Sequence, residues 1–390
     1  MNSLPTPRSR HAIALLAACL LPLNSWAADD ASSIRAFVDT AIRPLMAEHD
    51  VPGMAVAVTL NGQAYFFNYG VASKENNTPV SEATLFELGS ISKTFTATLA
   101  AYAQVLGKLS LDEHPGKYMP QLQGSAIDKA SLLHLGTYTA GGLPQQFPDE
   151  LAGDQMISYY QQWKAEAAPG AFRRYSNPSL GLFGHVAALA LKSDFADAME
   201  QQLLPQLGLQ GSYVRVPQSA MANYAWGYNK ANKAIRMNPD IFSDATYGIK
   251  SSSADMIRFV QLNIEPSRLA GPVRRAVEAT HVGYFQTGDM VQGLGWEQYA
   301  YPLSLPRLQA GNTPAGTMAA DAATKLTPPR APSGATLFNK TGATNGFSNY
   351  AAFVPAQRIG VVMLANRNFP IPARLKAAHA ILQQLAPMVK

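Results

Sequence analysis

Apolar positions run unbroken or alternate near both ends of the chain and fall at helical spacing in between. Met54 to Leu60 (MAVAVTL) is a continuous apolar run, followed by Asn61-Gly62 and then Gln63 to Tyr69 (QAYFFNY). Both residues of an Asn-Gly pair tolerate positive φ, so this stretch predicts a β-hairpin. From Ser90 the period changes. Ile91, Phe95, Leu99, Tyr102 and Leu106 recur as on one face of a helix, and Gly107 is placed to stop it. Positions from about 105 to 240 read as helix and loop, with short apolar helices near 180–192 and 195–204. Strand signals return in three apolar runs, Thr336 to Lys340, Asn349 to Val354 and Ile359 to Leu364. Asn345-Gly346 and the segment from Pro355 to Arg358 separate them, which predicts an antiparallel meander. Ala373 to Leu385 has the pattern of an amphipathic helix. The stretch 301–334 is rich in Pro, Ala and Gly and reads as a long surface excursion.

Strands distant in sequence most simply share one sheet. The expected fold is α/β of the α+β kind: an antiparallel β-sheet flanked by helices, plus a mainly helical lobe. The sheet lobe is expected from 28–88 and 245–390, and the helical lobe from 89–244. A cleft between two lobes is a preferred place for a small-molecule site.

Residues 1–27 are expected to be a secretory signal. Arg8 and Arg10 are basic, Ala12 to Leu23 is apolar, and Ser25-Trp26-Ala27 offers small residues for cleavage near Ala27/Ala28, ahead of Asp29-Asp30. The run is too short and wrongly flanked for a retained membrane anchor. Leu16-Ala17-Ala18-Cys19 also resembles a lipoprotein box, although Leu20 to Leu23 stays apolar where such chains turn polar. The expected destination is the periplasm, with no stable membrane insertion after cleavage. Cys19 is the single cysteine, so the processed chain has no disulfide, thiol nucleophile or thiolate ligand. Removing Arg8 and Arg10 lowers the formal charge from +5 to +3. With no Lys/Arg block, nucleic-acid binding has little support.

Three short motifs carry candidate chemistry. In Ser90-Ile91-Ser92-Lys93, residues three apart share a helix face, so Lys93 can sit beside the Ser90 hydroxyl and activate it. The helix start adds free N–H groups for a developing oxyanion. In Tyr175-Ser176-Asn177, a phenol near ammonium groups would ionise more easily and could move protons, while Asn177 can both donate and accept. In Lys340-Thr341-Gly342, a strand-edge Lys and Thr can face a cleft, Gly342 permits close approach, and the Ala343 N–H could be a second oxyanion donor. Each motif alone also has a bland reading: a solvated first helical turn, an Asn-Pro turn, or an edge lysine that discourages aggregation. Their occurrence together, in order and each in suitable local structure, is what points to a serine acyl-transfer site.

These residues resemble the class C (AmpC-type) serine β-lactamases. Tyr175-Ser176-Asn177 stands where class A enzymes carry S-D-N. The likeness extends through Leu132-Leu133-His134-Leu135, Tyr138-Thr139-Ala140-Gly141-Gly142-Leu143-Pro144, Tyr247-Gly248-Ile249-Lys250-Ser251, Leu364-Ala365-Asn366 and Pro372-Ala373-Arg374. The resemblance implies a β-lactamase/DD-peptidase-like fold and β-lactam antibiotics as substrates, with penicillin and cephalosporin rings opened and resistance conferred. It implies that Ser90 attacks the lactam carbonyl and that Lys93 and Tyr175 carry its proton to the leaving nitrogen. The N–H groups of Ser90 and Ala343 would form the oxyanion hole, and Asn177 and Gln146 would hold the acylamido side chain. Lys340, Thr341 and Arg374 would face the substrate carboxylate, Gly342 would let the substrate approach the backbone, and Tyr247 would line the site. Ile371 departs from the family, many members of which carry Asn there, and this weakens the role of Arg374.

No cofactor or metal is expected. The histidines outside the leader (His49, His114, His134, His185, His281, His379) show no close pairing suited to zinc, and His134 between two leucines reads as a core residue. A monomer is expected. The alternatives are a penicillin-binding DD-peptidase, a β-lactamase-like esterase, which often lacks an intact K-T-G, and a non-hydrolytic β-lactam sensor, which would need a membrane span or signalling domain.

Overall fold

The unbroken apolar run at Met54 marks a strand covered on both faces. A computed structural model describes Met1 and residues 24–312, 320–331 and 335–389. The predicted leader lies mostly outside the described residues. The hairpin forms as expected from β1 (Gly53–Leu60) and β2 (Gln63–Ser73), with Leu60 opposite Gln63 and both turn residues at positive φ. All eight β1 residues are buried. Ala55 and Ala57 face one core, whereas Met54, Val56 and Val58 face another, which removes the polar alternation of a half-buried strand.

Among the described residues the main sheet has ten strands. The others are β3 (Thr78–Pro79), β4 (Gly283–Thr287), β5 (Met290–Gly293), β6 (Glu297–Ala300), β7 (Thr324–Arg330), β8 (Thr336–Ala343), β9 (Ser348–Val354) and β10 (Ile359–Ala365). Their order is β7-β4-β5-β6-β8-β9-β10-β1-β2-β3, antiparallel throughout. The C-terminal meander is therefore the centre of the sheet, and the N-terminal hairpin joins it through β10 and β1.

On one face, α1 (Asn24–Glu48) packs with the C-terminal helix Ile371–Leu385. Ile34, Val38, Ile42 and Leu45 form the buried stripe of α1 at helical spacing. On the other face, the helix Ser253–Ile264 lies against β1, β9 and β10. Between this face and the helical region runs α2 (Ser92–Val105), which ends just before Gly107 as expected. Ile91, Phe95 and Leu99 enter the sheet-side core, and the small Ala97, Ala100 and Ala103 face a third core containing Leu132, Leu135, Tyr160 and Phe183. The helix Asn177–Ala190 packs against α2. Ser90 thus sits where two cores meet.

The stretch 301–334, expected as a long surface excursion, carries regular structure, and its strand β7 is largely exposed. Leu305–Ala310 is a helix, and β7 extends the sheet edge against β4. Pro328 and Pro329 lack the N–H that an interior strand must donate, but an edge strand tolerates them. Residues 313–319 and 332–334 of this stretch are outside the described part.

Candidate active site

The register of β8 creates an open edge. On one side its ladder with β9 runs from Phe338 to Ala343. On the other, its ladder with β6 stops at Asn339, opposite Glu297. Lys340 to Ala343 therefore have no strand beside them on the β6 side among the described residues. The turn Gly89–Ile91, which carries Ser90, presses against this edge. Two glycines permit the contact. Gly89 has φ of +56°, and a Cβ there would meet the Ala343 nitrogen at 2.3 Å; a Cβ at Gly342 would meet the Leu88 carbonyl oxygen at 2.1 Å. Ser90 and Ala343 are thereby brought together across the edge.

Lys93, one helical turn after Ser90, donates from Nζ to Ser90 Oγ at 3.0 Å and to the Thr246 carbonyl at 2.7 Å. It is fully buried. Burial is the main reason its pKa falls to about 8, with Lys340 adding to the fall and Tyr175 opposing it. The Lys93 and Lys340 ammonium groups each lie 5.1 Å from the Tyr175 ring centroid. Burial pushes the Tyr175 phenol up, but Lys340 and Lys93 more than offset it, so it ionises below its usual range. Its hydroxyl lies near Lys93 and Ser90 and makes no hydrogen bond of standard geometry. Tyr138, at φ +62°, brings its ring to 4.8 Å from that of Tyr175.

Asn177 starts its helix behind the capping Ser176, whose hydroxyl accepts from the Ser179 N–H at 3.0 Å. Its Nδ2 donates to Gln146 Oε1 at 2.9 Å, while its Oδ1 is buried without a partner. Ser90, Gln146, Tyr175, Asn177, Tyr247 and Lys340 to Ala343 all line one cleft of about 860 Å³. Burial pushes the Tyr247 phenol up to about 12.

Arg374 also borders this cleft, but its guanidinium is turned inward. It donates to the carbonyls of Phe369 at 2.7 Å and Gly342 at 3.0 Å, and to Asn368 Oδ1 at 3.4 Å. The sequence expectation placed it on the substrate carboxylate; in the structure it props the β8 edge and Asn368. Ile371 lies at the same end of the cleft.

Sequence reasoning missed a buried charge cluster. Glu297 Oε1 lies 3.4 Å from Lys340 Nζ and 3.5 Å from an Arg173 nitrogen, and Arg173 Nε donates to Gln292 at 2.7 Å. An acidic residue directly after Leu294-Gly295-Trp296 was the available signal. His134, expected in the core, is half-buried: it forms a capping pair with Ser131 at a helix start and is absent from the cleft lining. Among the described residues, no three His, Asp or Glu side chains gather in a metal-holding cluster.

The beta-lactamase family profile matches residues 38–386. A beta-lactamase of Pseudomonas fluorescens is 51% identical over 356 residues, 91% of this chain and 99% of that protein. A crystal structure of a class C beta-lactamase matches with a TM-score of 0.88 at 48% identity, covering 91% of this chain and 98% of that one. A class C beta-lactamase in complex with cefoxitin matches with the same TM-score at 47% identity, covering 91% and 99%. A beta-lactamase/D-alanine carboxypeptidase from Pseudomonas syringae matches at 45% identity with a TM-score of 0.88, covering 90% and 99%.

Proposed function

The chain belongs to the beta-lactamase family, and from that premise we propose that it opens the β-lactam ring of cephalosporins and penicillins through an acyl-enzyme on Ser90. It is a β-lactam hydrolase of the class C type. The observation that carries the Ser90 reading is the short contact from Lys93 Nζ to Ser90 Oγ, beside a phenol eased toward ionisation by two lysines.

The lactam lies along the open edge of β8, its carbonyl oxygen between the N–H groups of Ser90 and Ala343. Ser90 Oγ attacks the carbonyl carbon as its proton passes to the Lys93–Tyr175 pair. The negative charge that develops on oxygen is met by the two N–H groups, worth about 10²–10³-fold per donor. The C–N bond breaks, and the same pair returns the proton to the leaving nitrogen, with the Tyr175 hydroxyl as the nearest donor to that side. Water then attacks the ester, gives a proton to the pair, and Ser90 leaves with a proton restored. Asn177 Oδ1, buried and unpartnered, takes the amide N–H of the acylamino side chain, and Gln146 supports it. Thr341 and Lys340 serve the substrate carboxylate, and Arg374 acts on it indirectly through Gly342 and Asn368.

The mature protein works as a monomer in the periplasm after cleavage near Ala27/Ala28, and confers resistance. The two-lobe division at 89–244 frames the cleft. A carboxypeptidase action is the second reading, favoured by the likeness to the Pseudomonas syringae protein named for both activities. Purified protein incubated with cefoxitin and digested should give a Ser90 peptide heavier by the ring-opened antibiotic, with or without its C3′ leaving group, and a simple cephalosporin should be turned over. An unmodified Ser90 peptide with full turnover would overturn the reading. Hydrolysis of a D-alanyl-D-alanine peptide faster than of any cephalosporin would favour the second.

A further inference from the structure

Glu87 stands three residues before Ser90, on the two-residue strand Phe86–Glu87, and is 1% exposed. Its carboxyl group joins three segments that are otherwise separate. Oε1 accepts from the Tyr224 hydroxyl at 2.7 Å and from the Met237 N–H at 2.7 Å. Oε2 accepts from the Thr344 hydroxyl at 2.6 Å. The Glu87 backbone carbonyl accepts from Asn349 Nδ2 at 2.7 Å, which fixes the same strand to β9.

The partners lead to two sides of the cleft. Thr344 directly follows Ala343, the proposed second oxyanion donor. Met237 belongs to the segment Ile235 to Asp240, which also lines the cleft. Arg236, just before Met237, stacks 3.9 Å from the Tyr224 ring and 4.2 Å from Trp226, and donates to the Ala225 carbonyl. Tyr224 is thus a pillar for that wall, and Glu87 is what the pillar stands on. A buried carboxyl group costs several kcal/mol unless it is well bonded, and apolar packing would hold a fold at lower cost. What apolar packing cannot do is tie three segments, through one main-chain N–H and two side-chain hydroxyls, at hydrogen-bond tolerance to one point. A group with two acceptor oxygens can.

We propose that Glu87 is a positioning residue for the reaction: it sets the Ala343 N–H and the Met237–Asp240 wall against the Ser90 turn. The proposal rests on the Ser90 acyl-enzyme reading. The two oxygens divide the work. Oε2 governs the oxyanion donor and therefore kcat for every substrate. Oε1 governs the wall and therefore the fit of substrates whose side chain reaches it.

The test uses the full-length protein and rates counted per serine that acylates in an active-site titration, so that misfolded molecules drop out. Two cephalosporins are compared, one with a small and one with a bulky acyl side chain. Thr344→Val deletes the Oε2 bond with little change of shape. It should lower kcat about tenfold for both substrates, a fraction of what losing the whole donor costs, with KM little changed. Tyr224→Phe should raise KM about threefold more for the bulky substrate than for the small one, the scale of one hydrogen bond. Glu87→Ala should combine both defects. Glu87→Gln should recover most of the loss, because its amide oxygen can still accept from Met237 and its NH₂ can donate to Thr344. If Thr344→Val keeps kcat within about twofold of wild type, or Tyr224→Phe changes both KM values alike, the proposal fails. A lowered melting temperature with unchanged per-serine constants would make Glu87 merely structural. If Glu87→Ala does not fold, Thr344→Val and Tyr224→Phe decide alone. Failure of the underlying reading shows separately, as wild-type protein that turns over substrate without acylating Ser90.

Discussion

Between α1, the C-terminal helix and the sheet, Ile34, Val38, Val56, Met363 and Ile381 are buried in an almost wholly apolar layer. Across the sheet, Lys93, Arg173, Glu297 and Lys340 are buried to nearly the same degree. Equal burial has opposite meaning in the two places. In the first, each side chain removed from water stabilises the fold, by about 1.5–3 kcal/mol for a large aliphatic. In the second, burial removes charges from water, and the loss is only partly offset by pairing. The cleft lining also holds two of the buried polar atoms that lack hydrogen-bond partners of standard geometry among the described residues: Tyr175 Oη and Asn177 Oδ1. A region that keeps charges and unmet hydrogen-bonding groups out of water is arranged for a ligand, at a cost met by layers such as the apolar one.

Substitutions should therefore separate activity from stability according to region. The largest effect is expected from Ser90→Ala, which should lower the rate about 10⁶-fold, as removal of a hydroxyl nucleophile does, and leave the melting temperature at or above wild type. Retained turnover within tenfold of wild type would remove Ser90 from the chemistry. Tyr175→Phe keeps the ring and deletes the hydroxyl, and should cost about 10²–10⁴ in kcat with little change in melting temperature. A silent Tyr175→Phe would mean that the ring only packs. On the apolar side, Ile381→Ala should destabilise by about 2–5 kcal/mol, read from chemical denaturation, while kcat per folded molecule stays near wild type. A large kcat loss there would show that the two regions are not independent.

The smallest effect is a displacement of the pH profile. Lys93 has a pKa lowered to about 8 by burial, and Tyr175 partly counters that fall. In the proposed mechanism acylation needs the Lys93–Tyr175 pair in a state able to take a proton, so kcat/KM should rise with pH through about 8 and level off above it. Removing the phenol in Tyr175→Phe deletes the influence that raises the Lys93 pKa, so the residual activity should rise at lower pH than in wild type. A shift toward higher pH would contradict the assigned coupling.

What could be read from sequence were the elements whose signal is local. The 61–62 turn, the period of α2, the three-run meander and the three motifs each declare themselves within a few residues. The helix α1 was overlooked, although Ile34, Val38, Ile42 and Leu45 carry its stripe. β7 carries no strand signal within the surface excursion because its prolines obey the rules of an edge, and nothing local says where a sheet ends. The Glu297 cluster depends on Arg173 and Lys340, which lie 124 and 43 residues away. The inward turn of Arg374 depends on backbone carbonyls, which leave no mark on side-chain pattern. Long-range pairing and main-chain acceptors are where sequence reasoning stopped.

The Gly89–Ala343 and Gly342–Leu88 contacts also limit how this protein can evolve. At each, a methyl group would run into main-chain atoms of the other segment, and no rotamer change of a neighbour can relieve a clash with backbone. Neither glycine can be exchanged first and compensated later. Adaptation to new β-lactams is therefore closed at these two positions beside the nucleophile and falls to other parts of the lining, among them Met237 to Asp240. Selection for a broader spectrum should leave its mark there and spare both glycines.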